Sequence, residues 1–361
     1  MGLPNDHRCL YGEVMRRWLI LVVPVAAASA LFHLIELPTP MLFGGLAGAL
    51  AYALSRPAAR LELPSAAFKA GQATVGAVVG ASIGWGSLVE LGPRWLIVVV
   101  VSMFSLLVSV FVGRLLVRRG ATPVTAAFSS IAGGAAGLTA MADELGADAR
   151  VVAVLQYLRL LVVLVTMPIV VAVVFGATGQ GDTLDFAAAS LPVDLAYVVL
   201  AIGAGLWLGP RVAMPSPAIL GPLLVAALLT LAPVFADATV PEPVQAVGYL
   251  LIGVQVGLKF TVASLRSISR MVPTALFTIA VTLLACAGLS WVLVVTTGAA
   301  PLDAYLATTP GGIYAVMGTS SATGGDVTFV AATQVLRLLI VLASAPFLSA
   351  YLHRITEVDE P

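Results

Sequence analysis

Apolar residues run through this chain in long unbroken blocks, not in the narrow stripes of a soluble helix. Ten blocks are long enough to cross a hydrocarbon layer of about 30 Å. They cover residues 17–35, 38–54, 66–88, 93–117, 150–175, 194–210, 215–236, 243–265, 272–298 and 327–352. Two further segments, 122–145 and 301–325, are interrupted by glycine pairs and small polar residues. Each reads either as one more full span or as a re-entrant hairpin that leaves by the side it entered.

The distribution of charge separates the two readings, because short cytoplasmic loops collect Lys and Arg. With ten spans and an inner N-terminus, the inner loops hold Arg8, Arg16, Arg17, Arg56, Arg60, Lys69, Arg114, Arg118, Arg119, Arg150, Arg211, Lys259, Arg266, Arg270 and Arg354. The outer loops hold Glu36, Glu90, Asp182, Asp185, Asp194, Asp237, Glu242 and Asp303, with Arg94 against the trend. Twelve spans would place Arg211, Lys259, Arg266 and Arg270 outside. The expectation is an all-α polytopic protein of ten spans and two hairpins in a bacterial inner (plasma) membrane, both termini cytoplasmic. Its parts are a tail 1–16, a membrane unit 17–175, an external linker 176–193, a second unit 194–352 and a tail 353–361. The first block follows Arg16-Arg17 and contains Ala28-Ser29-Ala30, which resembles a cleavage site. It has a counterpart in the second half, so it is read as a retained span.

Composition agrees with a membrane class. The chain is 60% hydrophobic and 10% charged with a mean hydropathy of +1.05, against about 45–50% and 25% for soluble domains. The cysteines, Cys9 and Cys286, and the histidines, His7, His33 and His353, are scattered. No metal site, cofactor or enzymatic chemistry is expected from them. The bilayer and a small-molecule substrate are the expected partners, and a homodimer is one candidate assembly. No extramembrane basic element is present in the sequence for direct contact with nucleic acid.

The chain repeats itself. Residues 133–168 and 311–346, offset by 178, are identical at 14 of 36 positions. The shared pattern falls on Gly133, Gly134, Gly146, Asp148, Gln156, Arg159 and Pro168, and again on Gly311, Gly312, Gly324, Asp326, Gln334, Arg337 and Pro346. Two flanking motifs recur in the same order: Leu37-Pro38-Thr39-Pro40 with Met214-Pro215-Ser216-Pro217, and Gln72, Gly80, Gly84 with Gln245, Gly253, Gly257. An odd number of spans per unit makes the second unit enter the bilayer from the opposite side. Such inverted repeats are an architecture of secondary transporters, with substrate bound where interrupted helices meet at the midplane.

The repeated polar residues carry the candidate chemistry. An arginine at the centre of a span costs about 2.5–3.5 kcal/mol on insertion scales, and Arg159 and Arg337 impose that cost twice. Gln156 and Gln334, three residues earlier, share the arginine's helical face. These pairs either brace the broken backbone of a hairpin or contact an anionic substrate. Gly133-Gly134 and Gly311-Gly312 suit a tight reversal close to a ligand or a packing point between helices. Asp148 and Asp326 mark the entrances of the arginine spans, too far along the axis to pair with the arginines. Asp303, opposite Thr125 in the repeat, is expected near the interface and solvated. Gly80/Gly84 and Gly253/Gly257 read as helix-packing faces. The third span, hairpin and fifth span of each half are expected to move together.

The doubled Gly-Gly, Gly-x-Asp, Gln-x-x-Arg, Pro unit resembles the AbrB-duplication membrane family over residues 20–352. Ala132 stands where the second half has Pro310, a departure between the hairpins. Members carry labels such as transcriptional regulator and ammonia monooxygenase, and the family resembles the inverted-repeat cation–proton antiporters and anion transporters. The resemblance implies a transporter of a small metabolite, an anion being one candidate, working by alternating access. A membrane-embedded sensor with an indirect effect on gene expression is the alternative. The topology is directly testable: a cysteine at Asp182 should react with an impermeant maleimide from outside, and one at Arg56 or Arg270 should not. External labelling at Arg270 would overturn the inverted arrangement.

Overall fold

The computed structural model describes residues 6–37, 39–56, 61–81, 92, 95–133, 138–139, 141–142, 145–177, 191–212, 214, 217–230, 232–235, 238–260, 262, 266 and 268–358. Among them every regular element is helical. In the first half these are α1 (Asp6–Leu34), α2 (Pro40–Ser55), α3 (Ser65–Ala81), α4 (Trp95–Val117), α5 (Pro123–Ser130) and α6 (Ala149–Val174). In the second they are α7 (Leu191–Arg211), α8 (Pro217–Leu229), α9 (Glu242–Leu258), α10 (Val272–Thr297), α11 (Pro301–Thr308), α12 (Ile313–Ala322) and α13 (Val327–Val358). Six described helices are long and apolar enough to cross a membrane: α1, α4, α6, α7, α10 and α13. Many of their large apolar side chains point outward, including Val23, Phe111, Val173, Val199, Leu284 and Phe347. An apolar solvent stabilises such a surface, whereas water would not.

Glycine determines which helices meet. A Cβ on Gly76 or Gly80 of α3 would lie 2.3 Å from the Ile219 or Leu223 carbonyl oxygen of α8. On Gly253 or Gly257 of α9 it would lie 2.1 or 2.6 Å from the Leu42 or Leu46 carbonyl oxygen of α2. Each half therefore presses its own second helix against the glycine row of the other half's third helix. Within the halves, Gly44 of α2 backs onto Ser29 of α1, and Gly221 of α8 onto Gly205 of α7. Small residues four apart allow this backbone approach, and dispersion between the close surfaces holds it. Gly80, Gly253 and Gly257, read from the sequence as packing positions, each lie at such a close approach; in α3 Gly76 accompanies Gly80, while Gly84 lies outside the described residues.

The third helices touch the hairpin and fifth span of the second half, α3 meeting α12 and α13 and α9 meeting α12, but pack mainly elsewhere. Helices α1, α2, α3, α7, α8 and α9 form one group, and α4, α5, α6, α10, α11 and α13 a second, with α12 packing on α13 and on α3. The glycine rows hold α3 and α9 to the opposite repeat's second helix more tightly than anything holds them to the hairpins.

A large side chain in a glycine row must force the groups apart, at a cost of about 1–3 kcal/mol or more. Gly253→Leu should lower the melting temperature in detergent by several degrees. Gly203→Ala, at a position with nothing within 4 Å, should raise it slightly, since Ala favours an exposed helix interior by about 0.5–1 kcal/mol over Gly.

Candidate functional site

The site grows out of two short helices. Pro123 and Pro301 stand in the first turns of α5 and α11, where a missing N–H costs nothing and the fixed φ suits helix entry. Thr122 caps α5 by accepting from the Thr125 N–H. Each helix has 8 residues and then stops in extended backbone, at Ile131 and at Thr309. Gly133 follows at φ 120° and Gly312 at φ 80°. Both values lie in the region where a side chain is strained, so these glycines are reversal points. Gly311 lacks a positive φ and packs against Val163, and Gly134 lies outside the described residues.

After each reversal the chain returns to where it entered. The Asp148 N–H donates to the Thr125 hydroxyl at 2.9 Å, and the Asp326 N–H to Asp303 Oδ1 at 3.1 Å. These are the same two positions in the repeat, with the hydroxyl exchanged for a carboxylate. Asp148 Oδ1 also accepts from the Arg150 and Val151 N–H groups, and Asp326 Oδ1 from the Phe329 N–H, so both aspartates cap the helices that follow. Asp148 and Asp326 are exposed. Asp303 is buried, contrary to the expectation of a solvated interface residue, because its carboxylate ties the two ends of the hairpin together.

Stopping a helix inside the protein strands its last carbonyls. Gln156 and Arg159 meet that need on α5. The Gln156 amide donates to the Phe128 carbonyl and, at 3.1 Å, to that of Ile131. The Arg159 guanidinium donates to the Ser130 and Ile131 carbonyls and, at 2.6 Å, to Gln156 Oε1. On α11, Gln334 donates to the carbonyls of Leu306, Ala307 and Thr309 at 2.9, 3.2 and 3.0 Å. Arg337 reaches those of Thr308 and Thr309 at 2.9 and 3.4 Å. All four side chains are buried. A cation at a helix C-terminus also opposes the negative end of the dipole.

The arginines do more than brace. Both line one cavity of about 120 Å³, together with Gly133, Gly312, Gln334, Gln72, Gln255, Tyr157 and Tyr314. Phe68, Leu160, Val256, Ile313 and Leu338 add apolar wall. Among the described residues no carboxylate lines it, and the two guanidiniums share its wall. Each keeps one buried N–H, Nε, without a hydrogen-bond partner. The Cβ that Gly133 lacks would lie 3.5 Å from Arg337 Nε, and the one Gly312 lacks 2.8 Å from Leu160. Each hairpin tip thus faces the arginine helix of the other half.

The family comparison agrees with the doubled motif. A model described as "Transition state regulatory protein AbrB" matches residues 41–353. The chain belongs to the AbrB family. It is 32% identical over 340 residues to a protein of Escherichia coli (strain K12) named "Putative regulator AbrB", covering 93% of this chain and 96% of that one. It is 28% identical over 354 residues to "Uncharacterized protein YhjN" of Bacillus subtilis (strain 168), covering 91% of each. The AbrB match spans both hairpins and both arginine helices.

Some cavity residues were not singled out from the sequence. Tyr314, Tyr157, Gln255 and Phe68 stand outside the repeated motif, which is why self-comparison passes over them. Gln72 donates to the Tyr314 hydroxyl at 2.5 Å, joining α3 to α12. Its sequence counterpart Gln245 bonds instead to the Val240 carbonyl, away from this cavity. The halves therefore share the brace but not the cavity wall. Removing one brace should expose the difference between holding and binding. Gln334→Leu strands buried carbonyls at about 1–3 kcal/mol each, and should lower the melting temperature by several degrees, as should Arg337→Lys, whose ammonium cannot span the carbonyls a guanidinium fork reaches. Gln72→Ala should leave the melting temperature within a degree or two.

Proposed function

We propose that this AbrB-family chain is a secondary transporter of a small anionic metabolite, working by alternating access. One observation carries the reading: two buried guanidiniums, one from each half, line a single cavity where the hairpin of each half meets the arginine helix of the other. Membrane-depth backbone outside a regular helix is tolerated where it is buried or lines a cavity, and paired interrupted helices at the midplane are where carriers hold their cargo.

The topology that goes with this reading has ten spans in two inverted units of five, with α5 and α11–α12 as arms of re-entrant hairpins. The shorter α2, α3, α8 and α9 supply the four crossings beyond the six long helices. At 17 residues, α3 and α9 rise about 26 Å, so the bilayer thins slightly around them or the flanking loops complete the crossing. The inner membrane is the location and both termini are cytoplasmic. The protein is a carrier and not an enzyme.

The glycine rows support a division of labour. The group of α1, α2, α3, α7, α8 and α9 serves as a frame, and the group holding both hairpins shifts against it. Gln72 to Tyr314 is a polar link across that boundary, and one hydrogen bond is cheap to break and remake. A second reading draws on the name of the Escherichia coli relative, a regulator: a membrane sensor that binds the same ligand and acts indirectly on gene expression. Flux separates the two. Purified protein in proteoliposomes should give saturable, ligand-dependent exchange, the ligand being found by comparing metabolites of a deletion strain with its parent. Binding without any flux would leave the sensor.

A further inference from the structure

We infer that the cavity between the two arginines is a site for a short organic dicarboxylate, with one carboxylate taken by each half of the protein. This rests on the reading of the cavity as the ligand site and adds the chemical class.

Three observations converge. The first is the pattern of donors. The terminal nitrogens of Arg159 and Arg337 are engaged with hairpin carbonyls and with Gln156. Each guanidinium keeps Nε–H unpartnered in a buried position, where an unmade hydrogen bond costs about 1–3 kcal/mol or more for a charged group. The two guanidiniums, one on α6 and one on α13, both line the cavity, so a ligand with two acidic ends matches them.

The second is charge. Two guanidiniums contribute two full positive charges. The C-termini of α5 and α11 offset about half a charge each, and the N-terminus of α12, whose Gly312, Ile313 and Tyr314 are part of the cavity wall, adds about half a charge back. The sum is roughly one and a half positive charges facing a cavity lined, among the described residues, by no carboxylate. Arg159 and Arg337 are like charges in the wall of one cavity, and an acid group beside each offsets them.

The third is size and wall chemistry. A volume of 120 Å³ is roughly eight to twelve times what one water requires, which suits a body of about that many heavy atoms. Phe68, Leu160, Val256 and Leu338 offer nothing to a bare inorganic anion, which would want donors on all sides. They suit a short carbon chain between two acid groups, while Gln255 and Tyr157 stand ready for a substituent.

The test uses the full-length protein in detergent, with thermal shift and direct binding read for succinate, glutarate and adipate against butyrate, sulfate and a diamine of matching length. At least one of the three dicarboxylates should bind and raise the melting temperature. Butyrate and sulfate should bind at least tenfold more weakly, and the diamine not at all. Affinity should fall as pH drops through the acid's second ionisation. Arg337→Gln should weaken binding at least tenfold; if that variant does not fold, Gln255→Ala, which touches no brace, should weaken it two- to fivefold with an unchanged melting temperature. Failure of all three dicarboxylates, or equal binding of butyrate or sulfate, overturns the proposal. Dicarboxylate binding without flux in proteoliposomes leaves this assignment in place and removes only the transport reading. Flux of a monoanion or cation with no dicarboxylate binding does the reverse.

Discussion

A helix that ends inside a membrane protein leaves carbonyls with no water to accept, and the organisation of this fold follows from how those carbonyls are met. The short helices α5 and α11 each stop after 8 residues, and the same two side-chain types, glutamine and arginine one turn apart, close both ends. Because the donors come from α6 and α13, the brace also fixes each hairpin against its own following span. Arginine suits this position for two reasons: its planar fork reaches several carbonyls at once, and its charge faces the negative end of a helix dipole. The insertion cost of a buried guanidinium is thereby offset locally, without a carboxylate partner.

That arrangement has a consequence for chemistry. A carboxylate partner would neutralise the arginine and close the site to anions. Carbonyl partners hold the guanidinium while leaving much of its charge uncompensated. The same residue is then held through its terminal nitrogens while its guanidinium still lines the cavity. The two arginine helices bring two such groups to one cavity, and the glycines at the hairpin tips keep that meeting place free of side chains. Gly133, beside Arg337 Nε, serves a turn at φ 120° and an opening at once.

The glycine rows supply the complementary constraint. By exchanging second and third helices between the halves, they lock six helices into one group in which backbones touch. The hairpin group has a close approach of its own, Gly113 of α4 against Ser130 and the Ala126 carbonyl of α5, together with side-chain packing and polar links. The shared brace and the unshared cavity wall, with Gln72 at the site and Gln245 bonded elsewhere, make the two halves alike in construction and different in what they present to a ligand.

Much of this was legible in the sequence. The 178-residue offset named both arginines, both glutamines and the hairpin glycines, because a buried charge is tolerated only for a reason and a repeated one twice over. Helical class and membrane character followed from block length alone, since hydrophobicity is a property of each segment by itself. The sequence left open whether Arg159 and Arg337 brace or bind, and only the tertiary structure, by placing carbonyls of residues 128–131 and 306–309 within reach and leaving each Nε unpartnered, showed the brace together with a donor left over. It also paired α3 and α9 with the opposite half's second helices, buried Asp303, and brought Phe68, Tyr157, Gln255 and Tyr314 to one cavity. Those facts depend on which backbones approach which, and a linear pattern fixes the faces of helices but not their partners.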